Sequence, residues 1–359
     1  MSYDETGVRC TMLRGGTSRG LYVEAQDLPA DAAARDDLLL RLMGTPDPRQ
    51  IDGLGGATTL TSKVAVVSPS DDPEVDVDYL FLQLGVDQPT VSERQNCGNI
   101  LAGVGPFAVE RGLVPAADAE TSVRIRMVNS DSIAVATFPT PDGRVEYRGD
   151  VAIAGVPGTA APVVLAFADT EGSATGALLP TGQVRDTIEG VEVTCVDNGM
   201  PVVLALAQSF GLTGYETHEE LASDAALLER IDAFRRKAAQ LMGMGDVSSS
   251  SVPKTVLLAP PRGGGQVCTR SFIPVQPHTS IGVLGAVSVV TGMLLPGAVG
   301  SEMTADWPED TSQVDVEHPT GHLLVDVVVD NSVEPPRVVR SGVVRTARKL
   351  FDGTAFPRA

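Results

Sequence analysis

Twice in this 359-residue chain, a short valine-rich run with one lysine near its start is followed by a polar cluster that opens a stretch of small apolar residues. The first copy is "LTSKVAVVS" (60–68) with Lys63, then "QNCGN" (95–99) and "ILAGVGPFAVE" (100–110). The second is "SVPKTVLLAP" (251–260) with Lys254, then "HTSIG" (278–282) and "VLGAVSVV" (283–290). Runs of β-branched residues read as strands, and charge-free runs rich in Ala and Gly read as buried helices. The chain is therefore expected to hold two similar domains, each a sheet with one buried helix. The boundary is placed in "TGQVRDTIEG" (181–190), giving domains 1–186 and 187–359, with the last strand returning to the first.

Further strands are expected at 75–84, 123–129, 132–138, 162–169, 191–197, 322–330 and 342–351, and helices at 31–43, 98–111, 217–241 and 281–293. The sum is a strand-heavy α+β protein. Residues 280–300 carry no charge and are long enough to span a bilayer, but glycines and Pro296 interrupt them, so a buried helix is the expectation.

The net charge of −19 disfavours nucleic acid and anionic membranes as partners. An anionic substrate then needs a local exception, which a helix start supplies through its free N–H groups and partial positive charge. Two domains facing one another would bring two such starts to one cleft. The four cysteines, Cys10, Cys97, Cys195 and Cys268, form no CxxC pair, and the N-terminus has no apolar signal segment. Both fit a reduced, cytoplasmic protein.

Cys97 is the foremost candidate for chemistry. It is flanked by Asn96 and Asn99, and Gly98 would let the backbone approach a ligand closely. A helix begins there, which lowers a thiol pKa. The alternative is a small buried hydrophobe. Lys63 lies in an apolar strand, where a buried amine serves as a base; the alternative is an edge lysine facing solvent. Thr61 and Ser62 beside it suit a carboxylate. "MLRGGTSRG" (12–20) holds Arg14 before Gly15, Gly16, Thr17 and Ser18, which is either a carboxylate clamp or a tight hairpin turn. His278 either caps its helix or binds substrate. Cys195 is assigned to the core, and the loop after it, Asp197 to Met200, is placed at the site. His318 and His322 in "HPTGH" form a turn rather than a metal pair. A thiol and an amine beside anion-binding helix starts, with no cofactor motif, point to proton transfer at carbon through an enolate or dienolate.

The segments "MLRGGTSRG", "IDGLGGATTLTSKVAVV", "QNCGNILAGVGPFAVERGLV", "VEVTCVDNGMPVVL", "SVPKTVLLAPPRGGG" and "RSFIPVQPHTSIGVLGAVSVVTG" closely resemble the PrpF-like isomerases of the diaminopimelate-epimerase fold, across nearly the whole chain. Within that family they look most like the 4-oxalomesaconate tautomerases and isomerases of gallate and protocatechuate 4,5-cleavage catabolism. The 2-methylaconitate cis-trans isomerases resemble the chain less closely. The resemblance implies two pseudo-symmetric domains, each a barrel-like, mostly antiparallel sheet around a central helix. It implies Lys63 and Cys97 as a cofactor-free acid/base pair, with the lysine taking the proton and the cysteine returning it. Substrate contacts are expected from Arg14, Gly15, Gly16, Thr17, Ser18, Thr61, Ser62, Asn96, Gly98, Asn99, Met200, His278, Thr279, Ser280 and Ile281. The ligand is a small tricarboxylate or keto acid, no metal is expected, and a homodimer is a family-level inference. Epimerases of this fold carry a second thiol where this chain has Thr279 and Ser280. A two-thiol racemase is therefore disfavoured against a double-bond or keto–enol shift. A protein that binds a tricarboxylate without turnover is the reading from another class.

Overall fold

The structure, a computed structural model, describes residues 3–94, 96–168, 170–308 and 311–358. The chain divides into two compact units, residues 1–168 with 345–359, and residues 169–344. The division falls upstream of the 181–190 loop, and the C-terminal fifteen residues belong with the first unit.

The first unit opens with α1 (Tyr3–Thr6), β1 (Val8–Gly15), β2 (Ser18–Glu24) and α2 (Ala32–Met43). β3 (Lys63–Pro69), β4 (Val77–Leu84) and β5 (Val91–Ser92) follow. Then come α3 (Gly98–Leu101), α4 (Val104–Glu110), β6 (Ala119–Met127), β7 (Ser132–Thr140) and β8 (Pro162–Phe167). The second unit holds β9 (Asp186–Ile188), β10 (Val191–Asp197), β11 (Pro201–Leu206), α5 (His218–Ser223) and α6 (Ala225–Leu241). It continues through β12 (Lys254–Ala259), β13 (Val267–Phe272), α7 (Val283–Leu294), β14 (Gln313–His318) and β15 (Gly321–Asp330). The last strand, β16 (Arg337–Ala355), serves both units.

In the first unit the strands run β1–β2–β3–β4–β6–β7–β8–β16, and β16 pairs back onto β1, closing an eight-stranded barrel. Closure leaves no edge along that ring for a second chain to extend. α3 and α4 fill it, with Ile100, Leu101 and Val104–Ala108 buried against the strands. The small residues of this stretch are required there. A Cβ on Gly103 would lie 2.4 Å from the Tyr22 hydroxyl, and one on Gly105 2.6 Å from the Phe138 ring. α2 packs outside, where Leu38, Leu39, Leu42 and Met43 meet Val8, Cys10, Met12, Leu21, Val64, Leu82 and others. Asp31 caps its start and Gly44, at φ +77°, ends it.

The second unit repeats the pairing. From β1 to β8 the contacts are antiparallel, parallel, antiparallel, parallel, antiparallel, antiparallel. From β10 to β16 they follow the same order. Lys63 and Lys254 each open the third strand of their series. α7 is the second central helix, buried from Gly285 to Met293. α6 covers the outside through Leu227, Ile231, Phe234 and Ala238. The internal repeat expected from the two lysine-bearing strands is thus present in the topology.

Two helices differ from expectation. The 98–111 helix is broken at Ala102–Gly103, because Pro106 has no N–H and its ring clashes with the carbonyl four residues back. A new start at Val104 places Pro106 in a first turn, where it is tolerated. The 217–241 helix divides at Asp224, whose carboxylate accepts from Leu227 N and starts α6 afresh. β1, β2, β5, β9, β11, β13 and β14 lie outside the expected runs. Among the described residues, no helix is long and apolar enough to cross a membrane.

Candidate active site

The glycine-rich turn after β1 lies flat on the start of α3. A Cβ on Gly15 would come within 2.3 Å of the Asn99 carbonyl oxygen, and one on Gly16 within 2.2 Å of Asn99 Oδ1. Gly16 has φ +51°, a left-handed conformation that glycine adopts without strain. Asn99 Nδ2 donates to Thr17 Oγ1 at 3.0 Å, and Gly16 N donates to the Thr346 carbonyl. Arg14 Nη1 donates to the carbonyls of Gly16 (2.8 Å) and Thr346 (3.0 Å) and to Thr346 Oγ1 (3.0 Å). The motif is therefore a hairpin turn clamped between α3 and β16, with Arg14 as part of the clamp.

Cys97 is the N-cap residue of α3, extended at φ −132°, and its side chain makes no capping bond. Of the four cysteines it alone is not buried. Burial pushes the Cys10 thiol up to about 11 and that of Cys195 up to about 12, and it also raises that of Cys268, so these three are protonated core residues. In front of Cys97 the chain is open: a Cβ on Gly98 would meet nothing within 4 Å. Gly98 is thus not needed for packing within the protein. Behind Cys97 stand two wholly buried tyrosines. Tyr79 Oη donates to the Cys97 carbonyl (3.4 Å) and Tyr22 Oη to the Ile100 carbonyl (2.5 Å). Burial is the first cause that holds both phenols far above their ordinary pKa, so they remain donors.

Lys63 begins β3 and is only 7% exposed, so it is not an edge lysine facing solvent. Its Nζ donates to Gln83 Oε1 at 2.6 Å and lies 5.0 Å from the Phe81 ring centroid. Among the described residues it has no carboxylate partner. Gln83 is its direct partner across the β3–β4 ladder. The orientation of the Gln83 amide is determined by its surroundings. Nε2 donates to three carbonyls, those of Thr59 (3.2 Å), Ser62 (3.0 Å) and Leu84 (3.1 Å), which leaves Oε1 for the amine. Tyr79, Phe81 and Gln83 alternate along β4 and so share one face, spaced about 7 Å apart. One strand face thus supports Cys97 through Tyr79 and Lys63 through Phe81 and Gln83.

Other expected contacts are placed differently. Ser62 is wholly buried, and its hydroxyl donates to Gln50 Oε1 and the Thr58 carbonyl. In this structure it holds the loop before β3. Asn96 is exposed and bonds Ser130 Oγ; Gln95 of the same motif lies outside the described residues. Arg14, Thr17, Ser18 and Thr61 line a cavity of about 690 Å³ that neither Lys63 nor Cys97 lines.

In the second unit, α7 starts after Gly282, which offers no side-chain cap and whose Cβ position is open. Its first N–H groups therefore have no side-chain acceptor at the N-cap. The preceding 278–281 segment is held from within: Ser280 N donates to His278 Nδ1 (2.8 Å), which puts the proton of a neutral ring on Nε2. Ser280 Oγ lies 3.2 Å from His318 Nε2, and Thr320 Oγ1 donates to the Thr279 carbonyl. Burial lowers the pKa of His318. Thr279 is exposed and Ile281 buried. Asp197 and Asn198 are wholly buried, the first accepting from Ala174 N and Thr175 N, the second donating to Thr291 and Ser341. Asp197 thus holds the 174–175 turn and Asn198 braces α7; Met200 beyond them is partly exposed, its carbonyl accepting from Ser288. His318 and His322 close the β14–β15 hairpin, and among the described residues no group of His, Cys, Asp and Glu is placed to hold a metal.

The chain is similar to several known isomerases. A (4E)-oxalomesaconate Delta-isomerase of Novosphingobium sp. (strain KA1) is 55% identical, over 97% of this chain and 96% of its own. A 4-oxalomesaconate tautomerase of Pseudomonas putida is 54% identical over the same shares. The crystal structure of a methylitaconate-delta-isomerase superposes with a TM-score of 0.83 at 33% identity, covering 98% of this chain and 95% of that one. The family model described as PrpF protein matches residues 6–357, and the chain belongs to the PrpF family.

Proposed function

We propose that the protein is an isomerase that moves a proton within 4-oxalomesaconate or a closely similar tricarboxylic keto acid, using Lys63 and Cys97. The observation that carries this is the shared face of β4. It supports a buried amine with only a neutral partner and a half-exposed thiol at an uncapped helix start. The substrates are those in the names of the two relatives above 50% identity.

The step balances without an external reagent. The Lys63 amine takes a proton from carbon, and the freed electron pair spreads through the conjugated carbonyl and carboxylate as a dienolate. The Cys97 thiol then gives a proton to the far end of that system. The protein is left with ammonium and thiolate, and exchange with solvent resets both. The N–H groups at the start of α3 and Asn99 stabilise the developing negative charge. In the second unit, the open start of α7 beside the 278–281 segment suits a carboxylate by the same physics.

The test is proton exchange followed by NMR in D₂O with 4-oxalomesaconate, 2-methylaconitate and 3-methylitaconate. Deuterium should enter 4-oxalomesaconate fastest, and Lys63→Ala and Cys97→Ser should each stop it. A protein that only binds tricarboxylates would incorporate none. A preference for methylaconitate would move the substrate assignment to the alternative.

A further inference from the structure

Arg14 on β1 stands directly opposite Arg19 on β2 and directly opposite Arg348 on β16. Directly opposed residues of antiparallel strands point to the same face, and like charges so placed repel. Three guanidinium groups therefore form a row across three strands of the first unit. With Arg148 they line the cavity of about 690 Å³. The chain carries 46 acidic side chains against 27 lysines and arginines, yet among the described residues none of these four arginines is paired with a carboxylate. Arg14 feels this directly: burial, and then the charge of Arg348, lowers its pKa.

A second observation comes from the cavity wall. Arg19 Nε, on the same face of the sheet as Arg14, is buried and has no hydrogen-bond partner. Buried polar groups are nearly always satisfied, so such a donor in the cavity wall suits an anionic acceptor. Thr17, Thr61, Thr159 and Thr346 add hydroxyl-bearing residues around the row. The 153–160 segment lies over it, with Gly155 at φ +83° bringing its Cβ position within 3.4 Å of Thr17.

We propose that this cavity binds a small polyanion, a phosphate or a polycarboxylate, at a site separate from Lys63 and Cys97. The bound anion neutralises the arginine row. It also steadies the β1–β2 turn, whose Thr17 is bonded to Asn99 two residues beyond Cys97. The inference stands apart from the identity of the isomerised substrate.

The experiment titrates inorganic phosphate and, separately, citrate into the full chain by calorimetry at constant ionic strength, with wild type, Arg148→Ala, Arg348→Ala and Arg348→Lys. Wild type should show saturable binding of at least one probe, and the tighter arm identifies the anion class. Arg148→Ala and Arg348→Ala should bind at least tenfold more weakly, and Arg348→Lys should recover most of the loss. Proton-exchange kcat and KM should stay within about twofold in all three variants. Should Arg348→Ala fail to fold, Arg148→Ala, an exposed residue outside the barrel strands, carries the test. The proposal is overturned if neither probe saturates, if the alanine variants bind like wild type, or if the probes compete with substrate and the variants raise its KM.

Discussion

Lys63 and Gln83 face each other across β3 and β4, with Nζ 2.6 Å from Oε1. Lys254, which opens the equivalent strand of the second unit, has no such bond among the described residues; burial alone lowers its pKa. The repeat therefore carries two lysines at equivalent places, and among the described residues only the one in the unit that holds Cys97 has a fixed amide acceptor.

Gln83 should act as a positioning residue. Gln83→Leu removes the acceptor and strips three carbonyls of their donor, at a stability cost of about 1–3 kcal/mol. Turnover should fall roughly 10- to 100-fold, mainly in kcat. Gln83→Glu places a carboxylate against the amine and favours its charged form, so the pH of half-maximal turnover should move upward. An unchanged pH profile in Gln83→Glu would remove the positioning role, whatever the effect on stability.

Lys63→Ala and Cys97→Ser should each lower kcat by about 10²- to 10⁴-fold, the usual loss for a general acid or base, with the circular dichroism spectrum preserved. Near-normal rates in both variants would sink the assignment of the pair.

Alkylation of the native protein with iodoacetamide at pH 8, followed by mass spectrometry, should give one adduct, on Cys97. Cys10 and Cys195 are buried, with thiols at about 11 and about 12, so well under about 1% is thiolate at that pH. Unfolded protein should take up four. Rapid modification of two or more sites in the native state contradicts the burial described.

Gly15 and Gly98 should respond oppositely to alanine. At Gly15 the new methyl meets the Asn99 backbone at 2.3 Å, so the turn or α3 must shift, at roughly 1–3 kcal/mol and with a loss of turnover. At Gly98 nothing lies within 4 Å, and alanine in the first turn of a helix should leave stability unchanged or raise it by about 0.5–1 kcal/mol. Equal melting temperatures for the two variants would contradict the close packing of the turn on α3.

Much of the fold was legible because period-2 and helical patterns are local. The strands at 62–68, 191–197 and 253–260 and the two buried helices were readable from Val, Thr, Ala and Gly alone. β1, β2 and β13 were not, because their polar residues are satisfied by distant partners. Arg270, in the middle of β13, donates to the Glu216 carbonyl, and Arg14 in β1 donates to Thr346. Gly20 weakens β2 as a strand signal, yet its hydrogen is required, since a Cβ there would meet Ile100 at 2.9 Å. Lys63 and Cys97 stood out for their residue types in apolar company. Gln83 gave no such signal, since a glutamine near the end of an alternating strand looks like any solvent-facing residue.

By itself the sequence determined the two-fold plan of lysine-led strand and small-residue helix, the candidate amine and thiol, and the lack of a second thiol at 279–280. Only the tertiary structure decided that Gln83 meets Lys63, that Ser62, Asp197 and Asn198 turn into the protein, and that Arg14, Arg19 and Arg348 form one row. The physical reason is register. A residue's own segment settles which face it takes, but what stands opposite it depends on strand pairing, and for β1 and β16 that pairing joins residues more than three hundred positions apart.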